Sequence, residues 1–180
     1  LEKALIVIDY TYDFVADDGR LTCGKPGQDI APKITSLIEE TIEAGELVVF
    51  TNDIHFEGDS YHPETKLFPP HNIAGTAGRE LYGSVKDAYE KYASVCLSLD
   101  KTRYSAFAGT NLHQLLQERG IREIALVGVC TDICVLHTAV DAYNLGYKLL
   151  IYKDGVASFN EAGHEWALGH FTGTLGAEVI

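Results

Sequence analysis

The sequence predicts an α/β fold of three layers, α/β/α. A six-stranded, largely parallel sheet carries helices on both faces in one domain over residues 1–180. Three observations carry this. Short, continuous apolar runs such as Ala4-Leu5-Ile6-Val7-Ile8 have the length and β-branched content of strands buried on both faces. Segments of helical spacing alternate with those runs, as right-handed crossovers between parallel strands require. The 180 residues, 46% of them hydrophobic, suffice to bury a sizeable core.

The first run stops at Asp9, and Asp13, Asp17, Asp18 and Gly19 mark a loop. Ile34, Leu37, Ile38 and Ile42 set a helix over Ile30 to Ala44, with Pro32 in its first turn and Gly45 as its stop. Leu47 to Phe50 is a second strand, ending at Thr51-Asn52-Asp53. From Ile54 to about Ala77 no periodicity survives the breaks at Gly58, Pro63, Pro69, Pro70 and Gly75, and a loop of that length in a compact domain is expected to be functional. A helix over Arg79 to Tyr92, a strand over Val95 to Leu99 and a short helix over Leu112 to Arg119 follow. Ile124 to Val129 is a strand, Ile133 to Leu145 a helix stopped by Gly146, and Lys148 to Tyr152 a strand. Phe159 to about Leu175 closes the helices, and Ala177 to Ile180 is the sixth strand.

A formal net charge of −12 argues against nucleic acid or an anionic membrane as partner. No apolar run is long enough to span a bilayer. No export signal opens the chain as given, and four cysteines in 180 residues are not a disulfide scaffold, so reduced thiols in a cytoplasm are expected.

Ligands of such a sheet bind beyond the carboxyl ends of its strands. The polar residues there are Asp9, Asp53, Lys101 and the Cys130–Cys134 turn. Cys134 falls in the first turn of a helix, where free N–H groups and the dipole lower a thiol's pKa. A thiolate there attacks a carbonyl, Lys101 stabilises the anion, and Asp9 accepts a proton and passes it on. Backbone N–H groups at Cys130 and Cys134 are oxyanion donors in this reading. The plainer alternative is a buried core cysteine beside a structural Asp9–Lys101 pair. Cys23 and Cys96 have no catalytic case, and the Cys130 side chain reads as structural.

Asp53-Ile54-His55, with Glu64 and His71 further along the irregular loop, mixes oxygen and nitrogen donors, a set that suits Zn, Fe(II), Mn or Co. His62 stands near enough in sequence to substitute. Ordinary solvated loop residues are the alternative. His113, His137, His164 and His170 read as structural or surface residues. Phe14, Phe68, Tyr104 and Phe107 are aromatic residues near the same edge, where a flat ring could stack; Phe107 reads as core.

Five stretches together resemble the nicotinamidases of the isochorismatase-like hydrolase superfamily. They are Ile8-Asp9-Tyr10 with Asp13-Phe14, Thr51-Asn52-Asp53-Ile54-His55, Lys101-Thr102-Arg103-Tyr104-Ser105-Ala106-Phe107, Gly128-Val129-Cys130-Thr131-Asp132-Ile133-Cys134, and the tail from Ala167 to Ile180. The resemblance covers essentially the whole chain. It implies a catalytic triad of Asp9, Lys101 and Cys134, and metal ligands Asp53, His55 and His71, with Glu64 as a direct or water-mediated fourth. It implies that Phe14, Phe68 and Tyr104 enclose a pyridine ring, and that the Val129–Cys130 peptide is cis. The implied cofactor is one divalent ion, Zn2+ first, with Fe2+ and Mn2+ as alternatives. The chain departs at Glu64, where some members carry a third histidine. The implied reaction converts nicotinamide to nicotinate and ammonia through a Cys134 thioester, with pyrazinamide as a further substrate. Competing readings are a cysteine amidohydrolase of N-carbamoyl or other aromatic amides, a metal-independent isochorismatase, a non-catalytic binding protein, and a metal hydrolase that uses bound water alone. Members of the family often form homo-oligomers, and nothing in this sequence marks an interface.

Overall fold

The computed structural model describes residues 2–180. Six strands, β1 (Lys3–Ile8), β2 (Leu47–Asp53), β3 (Leu97–Lys101), β4 (Glu123–Val129), β5 (Lys148–Ala157) and β6 (Glu178–Val179), form one sheet in the order β3-β2-β1-β4-β5-β6. Every pairing is parallel. The helices are α1 (Tyr12–Val15), α2 (Lys25–Asp29), α3 (Ala31–Glu43), α4 (Gly83–Tyr92), α5 (Leu112–Gln117), α6 (Leu136–Asn144) and α7 (Glu161–Gly173).

The side-chain alternation of β1 divides the core. Ala4, Ile6 and Ile8 face a cluster supplied by α5, α6 and α7, whereas Leu5 and Val7 face one supplied by α3 and α4. The strand order reverses direction between β1 and β4, and at such a switch point a crevice opens beyond the strand ends. Asp9 follows β1 and Cys130 follows β4, so both stand at that crevice. Gly128, with a φ of 120°, lets the two strands approach there, since a Cβ on it would lie 2.0 Å from the Ile8 carbonyl oxygen.

The differences from the sequence reading are concentrated at strand ends. β2 runs on through Asn52 and Asp53, β3 through Asp100 and Lys101, and β5 through Ala157. Polar residues read as stops are instead the last rungs of ladders, and two of them, Asp53 and Lys101, pair with each other in the site. The helix expected from Arg79 begins at Gly83, the one expected from Ile133 at Leu136, and β6 is only two residues. The loop expected after Asp9 contains α1 and α2.

Tyr10 anchors that segment. Its ring is fully buried and its hydroxyl donates to the Gly27 carbonyl at 2.6 Å. Tyr10→Phe is expected to cost about 1 kcal/mol, the net worth of one buried hydrogen bond. Burial, then the neighbouring Tyr82, Cys23 and Asp29, pushes the phenol well above its usual range. A group whose pKa is raised on folding stabilises fully below the unfolded value, about 10 for tyrosine, and that stability is lost as pH rises beyond it. The wild type should therefore lose stability more steeply above pH ~10 than Tyr10→Phe does. Urea unfolding at pH 7 and across the alkaline range measures both effects; parallel alkaline slopes contradict the assignment.

Candidate active site

Asp9 has a φ of 52°, a left-handed conformation that costs a non-glycine residue about 1–3 kcal/mol and persists where the surroundings hold it. Here its N–H donates to the Thr51 carbonyl at 2.9 Å and its Oδ1 accepts from the Asp53 N–H at 2.7 Å. The carboxylate is completely buried beside Lys101 Nζ, 2.9 Å from Oδ2. Lys101 is as deeply buried. Its ammonium donates to Asp53 Oδ1 at 2.5 Å, to the Arg103 carbonyl at 3.1 Å and to Cys134 Sγ at 3.3 Å. One cation thus sits among two carboxylates and a thiol.

Cys134 does not start a regular helix. The Val135 N–H bonds the Cys130 carbonyl at 3.2 Å, five residues back, so Thr131–Val135 forms one wide π-type turn ahead of α6. The Val129–Cys130 peptide is cis. The thiol is buried, and burial pushes it well above its usual pKa. Lys101 opposes that rise, while Asp9 and Asp53 add to it. The expectation of a thiol lowered by a helix N-terminus is therefore corrected: the thiol lies in a π-type turn, buried beside two carboxylates that disfavour its anion. Burial and the Asp53 charge also raise Asp9, to about 6, while Lys101 and the Cys134 thiol pull it down. Burial would lower Lys101, but Asp53 and Asp9 outweigh it and hold the ammonium well above its usual value. At neutral pH the set is a carboxylate, an ammonium and a protonated thiol.

The irregular loop brings Asp53, His55, Glu64 and His71 together. One donor atom from each lies within 4.8 Å of all the others. His55 Nε2 stands 3.7 Å from Asp53 Oδ2 and 3.9 Å from Glu64 Oε2, and His71 Nε2 is 3.6 Å from Glu64 Oε1 and 4.0 Å from Asp53 Oδ2. These separations are too long for hydrogen bonds and short enough for one cation to bridge. Asp53 Oδ2, His55 Nε2, Glu64 Oε2 and His71 Nε2 are all buried without a hydrogen-bond partner among the described residues. The tautomer of His71 sharpens this. Its Nδ1 lies 2.9 Å from the Pro69 carbonyl, which only accepts, so Nδ1 carries the proton and the Nε2 lone pair faces two carboxylates. Buried lone pairs converging on one point fit a divalent cation, and the ring held from behind by a carbonyl is the usual support of a ligating histidine.

His62 is excluded from that set. Its Nδ1 accepts from the Glu64 N–H at 3.1 Å, so Nε2 carries the proton and donates to the Thr102 carbonyl at 2.5 Å. Neither nitrogen keeps a lone pair for a metal. The electrostatics of the other members follow from their crowding. Burial and Asp53 raise Glu64 to about 7. Burial would raise Asp53, but Lys101 and His55 hold it below its usual value. Burial and His55 lower His71, against the Pro69 carbonyl.

A cleft joins the two groups. Phe14, Phe68 and Tyr104 line it together with Asp53, Glu64, His71 and Cys134. Leu21, Ile133 and Phe159 also line it, and the sequence reading did not place them at the site. Phe159 was within reach of the strand-end rule, since it follows β5 once that strand is carried to Ala157. Phe107 lies outside the cleft, partly buried against the α5–α7 core. His113 bonds the Tyr147 hydroxyl, His137 the Ile133 carbonyl and His164 the Thr131 hydroxyl, while His170 stacks on Trp166.

The six-stranded parallel sheet with its flanking helices has the isochorismatase-like hydrolase fold. The isochorismatase domain model matches residues 3–180, and the chain belongs to that family. The pyrazinamidase/nicotinamidase of Streptococcus mutans is 53% identical, with a TM-score of 0.97 over 99% of this chain and 100% of that one. The nicotinamidase/pyrazinamidase PncA of Bacillus subtilis is 57% identical, with a TM-score of 0.96 over 99% of both chains. A pyrazinamidase of Pyrococcus horikoshii, solved in complex with zinc, is 29% identical, with a TM-score of 0.87 over 100% of this chain and 99% of that one. No helix among the described residues is long and apolar enough to cross a membrane.

Proposed function

We propose that the protein is a nicotinamidase that also accepts pyrazinamide, hydrolysing the carboxamide through a thioester on Cys134. The observation that carries this reading is one buried ammonium in contact with a buried carboxylate and a buried thiol, the thiol lining a cleft walled by aromatic rings. Asp9 Oδ2 takes the thiol proton as Sγ attacks the carboxamide carbon. Because the thiol is held above its usual pKa, sulfur keeps its proton until the substrate is in place, which guards it against adventitious electrophiles. Lys101 holds the sulfur and both carboxylates in register while charge moves between them. Backbone N–H groups of Cys130 and Cys134 receive the oxyanion. Asp9 then returns the proton to departing ammonia, and water, deprotonated by Asp9, releases nicotinate and regenerates the thiol.

Phe14, Phe68 and Tyr104 hold the ring face to face with apolar surface. Asp53, His55, Glu64 and His71 would hold one divalent cation, zinc first, which when bound would supply a Lewis-acid position that orients the pyridine ring. Chelation followed by dialysis should lower ammonia release from nicotinamide at least tenfold, on the order of what loss of a positioning contact costs, and added Zn2+, Fe2+ or Mn2+ should restore it. Full activity in protein shown by metal analysis to be empty contradicts the metal's role. Comparing nicotinamide, pyrazinamide and an N-carbamoyl amide under the same conditions separates this reading from an amidohydrolase of other amides. Four unpaired thiols support the reducing cytoplasm as its setting.

A further inference from the structure

We infer that Asn72 is the residue that positions the metal-binding loop. It does so by tying three of the four proposed ligands to the segment that follows β1. Asn72 is completely buried and has a φ of 47°, a conformation that asparagine tolerates better than most side chains. Each of its polar groups reaches a different part of the site. Its N–H donates to Asp13 Oδ2 at 2.8 Å, and its carbonyl accepts from the His55 N–H at 3.0 Å. Its Oδ1 accepts from the Thr11 hydroxyl at 3.0 Å, and its Nδ2 donates to the Asp53 carbonyl at 3.3 Å.

Asn72 therefore bonds the backbone of Asp53 and of His55 directly and is covalently joined to His71. The anchors on the other side, Thr11 and Asp13, are themselves buried. Asp13 is wedged in place, since a Cβ at Gly78 would fall 2.1 Å from its Oδ2. Without the side chain of Asn72, the ends of the loop that carry His55 and His71 are joined by the His55–Asn72 and Ala74–His55 backbone bonds alone. Asp53 is already bonded to Asp9 and its carbonyl to Arg79 Nε at 2.8 Å; the Asn72 side chain adds a bridge from that carbonyl to Thr11, and so holds the His71 end of the loop against the end of β2. Outer partners of this kind typically change metal affinity 10- to 100-fold when removed.

The inference rests on the metal site proposed for Asp53, His55, Glu64 and His71, so the wild type is measured first. Zn2+ affinity of the metal-free protein is read by competition with a chromophoric chelator, and the visible spectrum of the Co2+ form reports the ligand set. Asn72→Gly suits the backbone conformation and removes both side-chain bonds. It is expected to remain folded, to bind Zn2+ about 10- to 100-fold more weakly, and to shift the Co2+ spectrum. Thr11→Val keeps the volume of the anchor but not its hydroxyl, and is expected to weaken Zn2+ binding in the same direction, with Thr11→Ser restoring it. This second pair decides the matter if Asn72→Gly does not fold. Wild-type Zn2+ affinity and an unchanged Co2+ spectrum in Asn72→Gly, or equal affinities for the Val and Ser variants of Thr11, overturn the inference. A wild type that binds neither ion overturns the metal reading itself and this inference with it.

Discussion

Cys134→Ala is expected to lose ammonia release from nicotinamide by about 10⁴-fold or more, the scale on which removal of a covalent nucleophile is felt. The substitution deletes one sulfur from a site whose other groups remain paired. Lys101 keeps Asp9 at 2.9 Å, Asp53 at 2.5 Å and the Arg103 carbonyl at 3.1 Å. Zn2+ binding should be unchanged, because none of the four proposed ligands touches the lost atom by a hydrogen bond, and a ring such as nicotinate should still bind in the cleft. A variant that keeps more than about a tenth of wild-type turnover sinks the nucleophile assignment. A variant that loses zinc affinity as well as turnover would show that sulfur belongs to the metal site instead.

Lys101→Met should unsettle the protein as well as silence it. Methionine has similar length and removes only the charge, which leaves the Asp9 and Asp53 carboxylates buried at 0% and 1% exposure without their cation. Breaking one side of a buried ion pair costs about 3–5 kcal/mol, because the remaining charges have nowhere to be solvated. Lys101 serves two carboxylates and a thiol, so the upper part of that range is expected. Urea unfolding of the metal-free protein at neutral pH gives the number, and a loss under about 1 kcal/mol would mean that water or a shifted side chain already screens the site.

How much of this was legible in the sequence depends on the kind of signal each part left. The strands of the sheet announced themselves as apolar runs, because a parallel sheet covered on both sides has no polar face to dilute the pattern. Their ends did not. Asn52, Asp53, Asp100 and Lys101 look like loop residues by composition, yet they continue the ladders, and the side chains of Asp53 and Lys101 are used by the site. The same residue types were therefore informative about chemistry and misleading about boundaries. Asp9, Lys101 and Cys134 could be grouped from the rule that ligands bind beyond the carboxyl ends of strands, and the structure brings them within hydrogen-bonding reach. The protonation state of Cys134 could not be read, because it turns on burial and on two carboxylates, Asp9 just after β1 and Asp53 at the end of β2. Nor could Asn72 or the exclusion of His62, which depend on which ring nitrogen already holds a hydrogen bond and on a loop whose path no periodicity describes.

The central claim is that amide hydrolysis passes through an acyl group on Cys134, and a shared intermediate tests it most directly. Nicotinamide and methyl nicotinate are each turned over by the wild type in the presence of hydroxylamine, and nicotinate and nicotinohydroxamate are quantified. A thioester on Cys134 has no memory of its leaving group, so the two substrates should give the same ratio of products. Different ratios, or hydroxamate from the ester alone, would contradict it.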